Sequence, residues 1–238
     1  MRTVLEVEVW SDVVCPWCYI GKQRFERAVA QVADHIDVQF VYRPYQLDPG
    51  APTGDPVPVS QAYAKKFGGP ERAAQIIDHV SSIAATEVIE FRMDRALRAN
   101  TMAAHRLLWL AEATGRQHQL KERLMQAYFH DGLDVGDPAV LSSCAAQVGM
   151  DADAVATFLA GDAGAAEVRA LMATAVENEI SAVPTYVIAF ADGEPAWMVP
   201  GAQDTDVFVR LLQRAAERAR AAHGESTDQQ HSVHEAHG

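Results

Sequence analysis

The sequence predicts an α/β protein whose strand-bearing ends are separated by a long helical insertion. Three observations carry this expectation. The runs Val4–Trp10 and Asp37–Arg43 have the two-residue period of strands, and Ile20, Phe25, Val29 and Val32 recur between them at helical spacing. Strand character then disappears until Pro184–Phe190.

Residues 1 to 43 read strand, helix, strand, closed most simply as a right-handed parallel crossover. Prolines 44, 49, 52, 56 and 58, with Gly50 and Gly54, interrupt any regular element after it, so a linker or functional loop is expected there. Helices follow from about residue 60 to 178. Ser60 is the expected cap of a short one ended by Gly68, and Gly69-Pro70 opens a longer one carrying Ile76, Ile77, Val80 and Ile83. Asn100 is the expected cap of the helix of Leu107, Leu108 and Leu110, while Leu120, Leu124, Tyr128 and Phe129 stripe the next. Asp137-Pro138 starts one that stops at Gly149, Asp151 or Asp153 starts another, and Val168, Leu171, Met172 and Ala175 mark one more. Pro184–Phe190, a turn at Ala191-Asp192-Gly193 and a run at Ala196–Val199 read as a hairpin, and Val207, Phe208, Leu211, Leu212 and Ala215 stripe a final helix. The tail from His223 is polar and aperiodic and is expected to be disordered.

Composition narrows the function. The 238 residues are 49% hydrophobic, enough for a sizeable core. Net charge is −12, with basic residues scattered, which argues against a nucleic-acid partner. No apolar run approaches the roughly 18 residues of a membrane span, and Glu6 and Glu8 stand where an export signal would be apolar. A soluble, cytoplasmic protein is expected. Three cysteines are too few for a structural disulfide framework, and Cys144 has no Cys or His at the offsets a zinc site would need.

The tetrad Cys15-Pro16-Trp17-Cys18 therefore needs another reading. Two thiols at a strand-to-helix junction can close a small disulfide ring, and a helix N-terminus favours a thiolate on the first. Pro16 suits the first helical position because it has no amide hydrogen to satisfy, which makes Cys15 the cap. Cys18, one turn on and more buried, becomes the resolving thiol. In the cycle this suggests, an exposed Cys15 sulfur forms a mixed disulfide that Cys18 then releases. Asp12, if it points inward, opposes the thiolate.

Taken with the element order, Cys15-Pro16-Trp17-Cys18-Tyr19-Ile20-Gly21 and Ser181-Ala182-Val183-Pro184-Thr185 resemble the DsbA-like thioredoxin-fold family, in its FrnE-type branch. The likeness covers nearly the whole chain except the tail. It implies a thioredoxin-like fold with an all-helical domain inserted after the second strand: residues 1–43 and 163–222 as the thioredoxin-like part, 44–162 as linker and insertion, and 223–238 as tail. It further implies a cis Val183–Pro184 bond packed against Cys15, with Val183 and Thr185 meeting a substrate backbone and Pro16, Trp17 and Pro184 supporting the catalytic pair Cys15 and Cys18. Trp17 stands where strongly oxidising relatives carry a polar residue, which favours reduction or isomerisation over net oxidation. Asn100-Thr101 with His105, and Gly201-Ala202-Gln203, resemble family segments of less defined role.

The function expected is a cytoplasmic dithiol–disulfide oxidoreductase or isomerase acting on disulfide-containing proteins or small thiols. It would need no tightly bound cofactor or metal, with glutathione or another thiol as reductant, and it is compatible with a homodimer. Two alternatives stand beside it: a glutathione-dependent isomerase or transferase of the kappa-class type, against which the second cysteine argues, and a redox-linked chaperone-like binding module. Cys144 reads as a core thiol, His105 as a structural histidine, and His130 with Asp131, Asp134 and Asp137 as loop and cap residues. His223, His231, His234 and His237 belong to a solvated tail that could at most collect metal weakly. Of the four tryptophans, Trp17 is the one expected to be exposed near the sulfurs.

Overall fold

The computed structural model describes residues 2–54, 56–190 and 195–235, with side chains described as far as residue 222. The alternating run forms β1 (Thr3–Ser11), and the helical stripe after it forms α1 (Pro16–Val32). β2 (Ile36–Pro44) runs parallel to β1 in the register Thr3 to Ile36 through Ser11 to Pro44. Far along the chain, β5 (Thr185–Ala189) pairs antiparallel with the other edge of β1, and β6 (Trp197–Pro200) completes a sheet of order β2-β1-β5-β6. The turn expected at Ala191-Asp192-Gly193 lies outside the described residues.

Because successive strand side chains point to opposite faces, β1 serves two sides of the sheet. Leu5, Val7 and Val9 pack with Tyr186 and Ile188 against Phe25, Ala28 and Val32 of α1 and against Phe208, Leu212 and Ala215 of the last helix, α9 (Thr205–Glu235). Trp10, from the opposite face, meets Ala175 of α8 (Ala165–Glu177) and Ile180. The helical backbone of α9 continues to Glu235, so residues 223–235 of the tail expected to be disordered extend that helix, and 236–238 lie outside the described residues.

The insertion between β2 and β5 is not wholly helical. Val57–Pro58 (β3) and Leu97–Arg98 (β4) form a two-residue antiparallel pair that brackets α2 (Val59–Phe67) and α3 (Pro70–Thr86). This pair also explains a misplaced cap: Pro58 is held in the ladder and the Val59 amide donates to Ala96 O at 2.8 Å, so the helix starts before Ser60. The N-cap of α4 (Met102–Ala113) is Thr101 and not the expected Asn100, whose Oδ1 accepts from the Met102 amide at 3.1 Å from one residue earlier. α5 (Gln117–Gln126) continues into a π-helical turn at Ala127–Asp131, where a uniform helix was expected. Asp137 and Asp151 accept from the first amides of α6 (Pro138–Gln147) and α7 (Ala152–Ala160). Cys144 is buried in this core beside Leu141.

α5 is fastened to the outer edge of β2 by side chains. Gln117 Oε1 accepts from the Tyr42 amide at 2.8 Å while its Nε2 donates to Tyr42 O at 3.0 Å, and His118 Nε2 lies 2.8 Å from Phe40 O. A second link joins α3 to α1: Glu87, at the C-terminal end of α3, binds both Arg24 and Arg27.

Candidate active site

The strand-to-helix junction places the two thiols. β1 ends at Ser11, the Cys15 amide donates to Asp12 O at 3.4 Å, and Cys15 takes an extended conformation (φ −87°, ψ 116°) as the N-cap of α1 with Pro16 behind it. The Cys15 carbonyl accepts from the Cys18 and Tyr19 amides at 3.1 and 3.3 Å, closing the first turn and bringing Cys18 beneath Cys15.

The second half arrives from β5. The Val183–Pro184 bond is cis, and Cys15 Sγ lies 3.7 Å from Val183 O, within hydrogen-bond reach of sulfur. Gly201 N donates to Pro184 O at 2.7 Å, and Arg24 of α1 donates to Ala202 O at 2.9 Å, so the segment Gly201-Ala202-Gln203 clasps the proline turn onto α1. The approach is close enough to require Gly21: a β-carbon there would stand 2.7 Å from Tyr186 Oη and 3.0 Å from Pro184 Cγ. Thr185 is buried, its hydroxyl donating to Ala182 O at 2.8 Å and its backbone placed between Trp10 and Pro200 in the sheet. It supports the turn, whereas Val183 is partly open. Trp17 is 38% exposed, its ring 6.5 Å from that of His79 on α3.

Contrary to expectation, the Cys15 sulfur is not open. Cys15 is 4% exposed and Cys18 2%, because Val13, Cys15, Cys18, Tyr19 and Ile20 belong to the hydrophobic core of the insertion, with Val59, Val80, Met93 and Tyr128. Strand and sheet position the thiols, but the inserted helices cover them.

Beneath the pair lies a buried polar cluster. Asp12 is fully buried and points inward: Oδ1 accepts from the Val13 amide at 2.8 Å and lies 3.1 Å from His105 Nε2, and Oδ2 accepts from the Leu47 amide at 2.9 Å. The same His105 nitrogen lies 3.1 Å from Tyr45 O. Burial raises the Asp12 pKa, yet the His105 hydrogen bond and charge, the Leu47 amide and the Lys121 cation outweigh it and hold the carboxyl below its ordinary value. His105 is thus a buried structural histidine that reaches the site through Asp12.

Lys121 is the residue that sequence reasoning missed. It sits on the apolar face of α5 with Leu120, Leu124 and Met125, has no exposure, and its Nζ has no hydrogen-bond partner among the described residues. It lies 5.4 Å from the centre of the Tyr42 ring. Burial depresses its pKa to about 8 against the opposing pull of Cys18, Asp12 and Cys15. A lysine inside a leucine stripe was the available signal.

These neighbours divide the thiols in an unexpected sense. Hydrogen bonding with Cys18 is the largest cause pushing the Cys15 thiol well above its ordinary range, and burial and the charges of Cys18 and Asp12 add to it; the Cys18 amide alone opposes them. Burial also pushes Cys18 up, but the Cys15 hydrogen bond, the Lys121 charge, the Ser11 hydroxyl and the Asp12 amide bring it below its ordinary value. The two directions set the thiols apart: the protonated form is favoured at Cys15, and Cys18 is shifted toward its thiolate. Among the described residues no group of three or more Cys, His, Asp or Glu could hold a metal, and no helix is long and apolar enough to cross a membrane. His130 faces Glu90, Asp131 pairs with Arg123, and Asp134 and Asp137 accept from the amides of Gly136 and Ala139.

Comparison with known proteins agrees with this architecture. The chain is 27% identical over 223 residues to the Bacillus subtilis protein YwbO, covering 87% of this chain and 96% of that one. It is similar to the crystal structure of a "probable DsbA oxidoreductase" from Streptomyces coelicolor, with 36% identity, 89% of each chain covered and a TM-score of 0.81. The cytosolic disulfide reductase DsbM of Pseudomonas aeruginosa shares the fold at 18% identity, with 91% of this chain and 98% of that one covered and a TM-score of 0.59. The DSBA-like thioredoxin domain matches residues 6–213, and with that span the chain belongs to the DSBA-like thioredoxin domain family of thiol–disulfide oxidoreductases.

Proposed function

We propose that the protein is a cytoplasmic dithiol–disulfide oxidoreductase or isomerase that works through a mixed disulfide on Cys15. The observation that carries this reading is the 3.7 Å approach of Cys15 Sγ to Val183 O, which puts the reacting sulfur beside a backbone segment that a substrate chain could pair with. Cys15 gives up its proton and attacks a substrate disulfide as the thiolate. One substrate sulfur bonds to Cys15, and the other leaves with the electron pair and is protonated by solvent. Cys18 then loses its proton and attacks Cys15 Sγ, the substrate sulfur departs reduced, and the pair is left oxidised. Run backwards, the same steps oxidise a substrate dithiol.

Disulfide-bearing proteins or small disulfides are the substrates this cycle takes, with glutathione or another thiol returning the pair to its reduced form. The scarcity of cysteine supports a reducing compartment, in which reduction or isomerisation is the useful direction. The test is trapping. Cys18→Ser protein incubated with a model disulfide peptide is expected to accumulate a Cys15-linked adduct, while the wild type turns the peptide over. No adduct and no turnover in either direction would overturn the proposal.

A further inference from the structure

The reacting thiol is covered. Cys15 has to form a sulfur–sulfur bond of about 2 Å with a substrate, yet it lies in a hydrophobic cluster to which α2 contributes Val59 and Tyr63 and α3 contributes Val80 and Ala84. Part of that cover has to move before chemistry can begin. Two other members stand on anchored ground: Val183 belongs to the clasped proline turn, and Tyr128 to the π-helical turn that follows α5. α2 and α3 are fastened differently. They pack chiefly on each other across the Gly68-Gly69 bend, and beyond the β3–β4 ladder their principal neighbour is α1. Along that seam His79 meets Trp17, and Glu87 binds Arg24 and Arg27.

Both roots of the helical pair are sharply defined. At the entry, Val59 is tied to Ala96 across the ladder. At the exit, the Ile89 amide donates to Ala84 O at 3.0 Å and the Val88 amide to Ala85 O at 3.1 Å, the paired bonds of a Schellman stop. That stop needs a left-handed residue where glycine is usual, and Val88 fills it with φ 63° while 94% exposed. A β-branched residue is strained in that conformation, and little packing offsets the strain here. Just beyond, the chain is fixed again: the Arg92 amide donates to Phe129 O at 2.7 Å, and the Phe91 ring stacks on that of Phe129 at 4.4 Å.

We propose that α2 and α3 form a lid over Cys15, hinged at Val59 and Val88 and latched to α1 by Glu87, whose release admits the disulfide substrate. The inference rests on the thiol chemistry proposed above. Release breaks the two Glu87 ion pairs and the contact of His79 with Trp17, and it leaves the sheet, α4 and the helices after α4 folded. Cys144 lies outside the moving part, buried on α6, which packs on α4, α5 and α7. Opening the lid therefore bares Cys15 and leaves Cys144 covered.

The wild-type protein provides the first test, independent of any variant's folding. Alkylation of each cysteine in the reduced full-length chain by iodoacetamide is read by mass spectrometry across urea concentrations below the unfolding transition. The logarithm of the Cys15 rate is expected to rise with urea at less than about half the slope for Cys144, because a lid exposes only part of the surface that unfolding does. Equal slopes overturn the proposal. Glu87→Gln is expected to speed Cys15 alkylation about tenfold, as the loss of hydrogen bonds between charged groups would produce. Leu212→Ala, in the sheet core that stays folded while the lid opens, is expected to leave the Cys15 rate as it is and to raise that of Cys144. A wild-type Cys15 rate in folded Glu87→Gln protein overturns the proposal, and so does a Cys15 rate that rises with that of Cys144 in Leu212→Ala. Alkylation does not depend on turnover, so the two readings fail separately. An active oxidoreductase with equal slopes removes the lid alone, and a lid that opens on a protein turning over no disulfide removes the functional reading alone.

Discussion

At the scale of single residues, the site depends on three residues whose meaning lies in contacts the sequence does not print. Asp12 is one. Its folded-state pKa is held below the unfolded value of about 3.9, so its contribution to stability is complete above that pH and is lost as pH falls through the folded value. Asp12→Asn protein should therefore be less stable than wild type at pH 7, with the gap between their urea midpoints closing on acidification below about pH 4. A gap independent of pH would contradict that assignment. Cys15 is the second. Since its largest upward push comes from Cys18, Cys18→Ala should lower the pH at which Cys15 titrates and speed its alkylation at pH 7 relative to wild type. Gly21 is the third. Gly21→Ala drives a methyl group into Tyr186 and Pro184, and a cost of about 1–3 kcal/mol in denaturant unfolding is expected.

At the scale of elements, periodicity and caps were legible and partnerships were not. Alternation located β1 and β2, Pro16 marked the start of α1, and Asp137-Pro138 marked that of α6, because each signal is local and physically sufficient. Ser60 failed as a cap because a two-residue ladder with β4, some forty residues away, fixes the chain just before it. The π-helical turn at Ala127–Asp131 was invisible because Leu120, Leu124 and Tyr128 keep an ordinary helical spacing up to it. The candidate site divides in the same way. The tetrad and Val183-Pro184 could be read from the chain, whereas the inward turn of Asp12 toward His105 and the burial of Lys121 over the Tyr42 ring depend on how the inserted helices dock. Among the caps, Asp151 accepts from two amides, so Asp151→Ala should destabilise by about 1 kcal/mol, measured as a lowered urea midpoint without effect on thiol titration.

At the scale of the whole molecule, two hydrophobic cores meet at the thiols. The sheet, α1 and α9 share one; the insertion has the other, and the sulfurs lie in the second. A cavity made in the insertion should therefore reach the chemistry. Leu124→Ala is expected to cost about 2–5 kcal/mol and to raise the alkylation rates of both Cys15 and Cys18 in the folded protein, whereas Leu212→Ala, in the sheet core, should destabilise similarly without that preferential thiol exposure.

The grip of Gln117 and His118 on β2 carries a consequence of a different kind. A sheet edge offers a row of unpaired amides and carbonyls on which a foreign strand can grow, and this edge borders the strand that supports the active site. Here Gln117 imitates a neighbouring strand, taking both the donor and the acceptor of Tyr42, and His118 occupies the carbonyl of Phe40. The opposite edge, β6, is only four residues long and ends in Pro200. The insertion thus doubles as a stopper against sheet-to-sheet polymerisation, and trimming it to leave a minimal redox fold would unseal a sticky margin as well as bare two thiols.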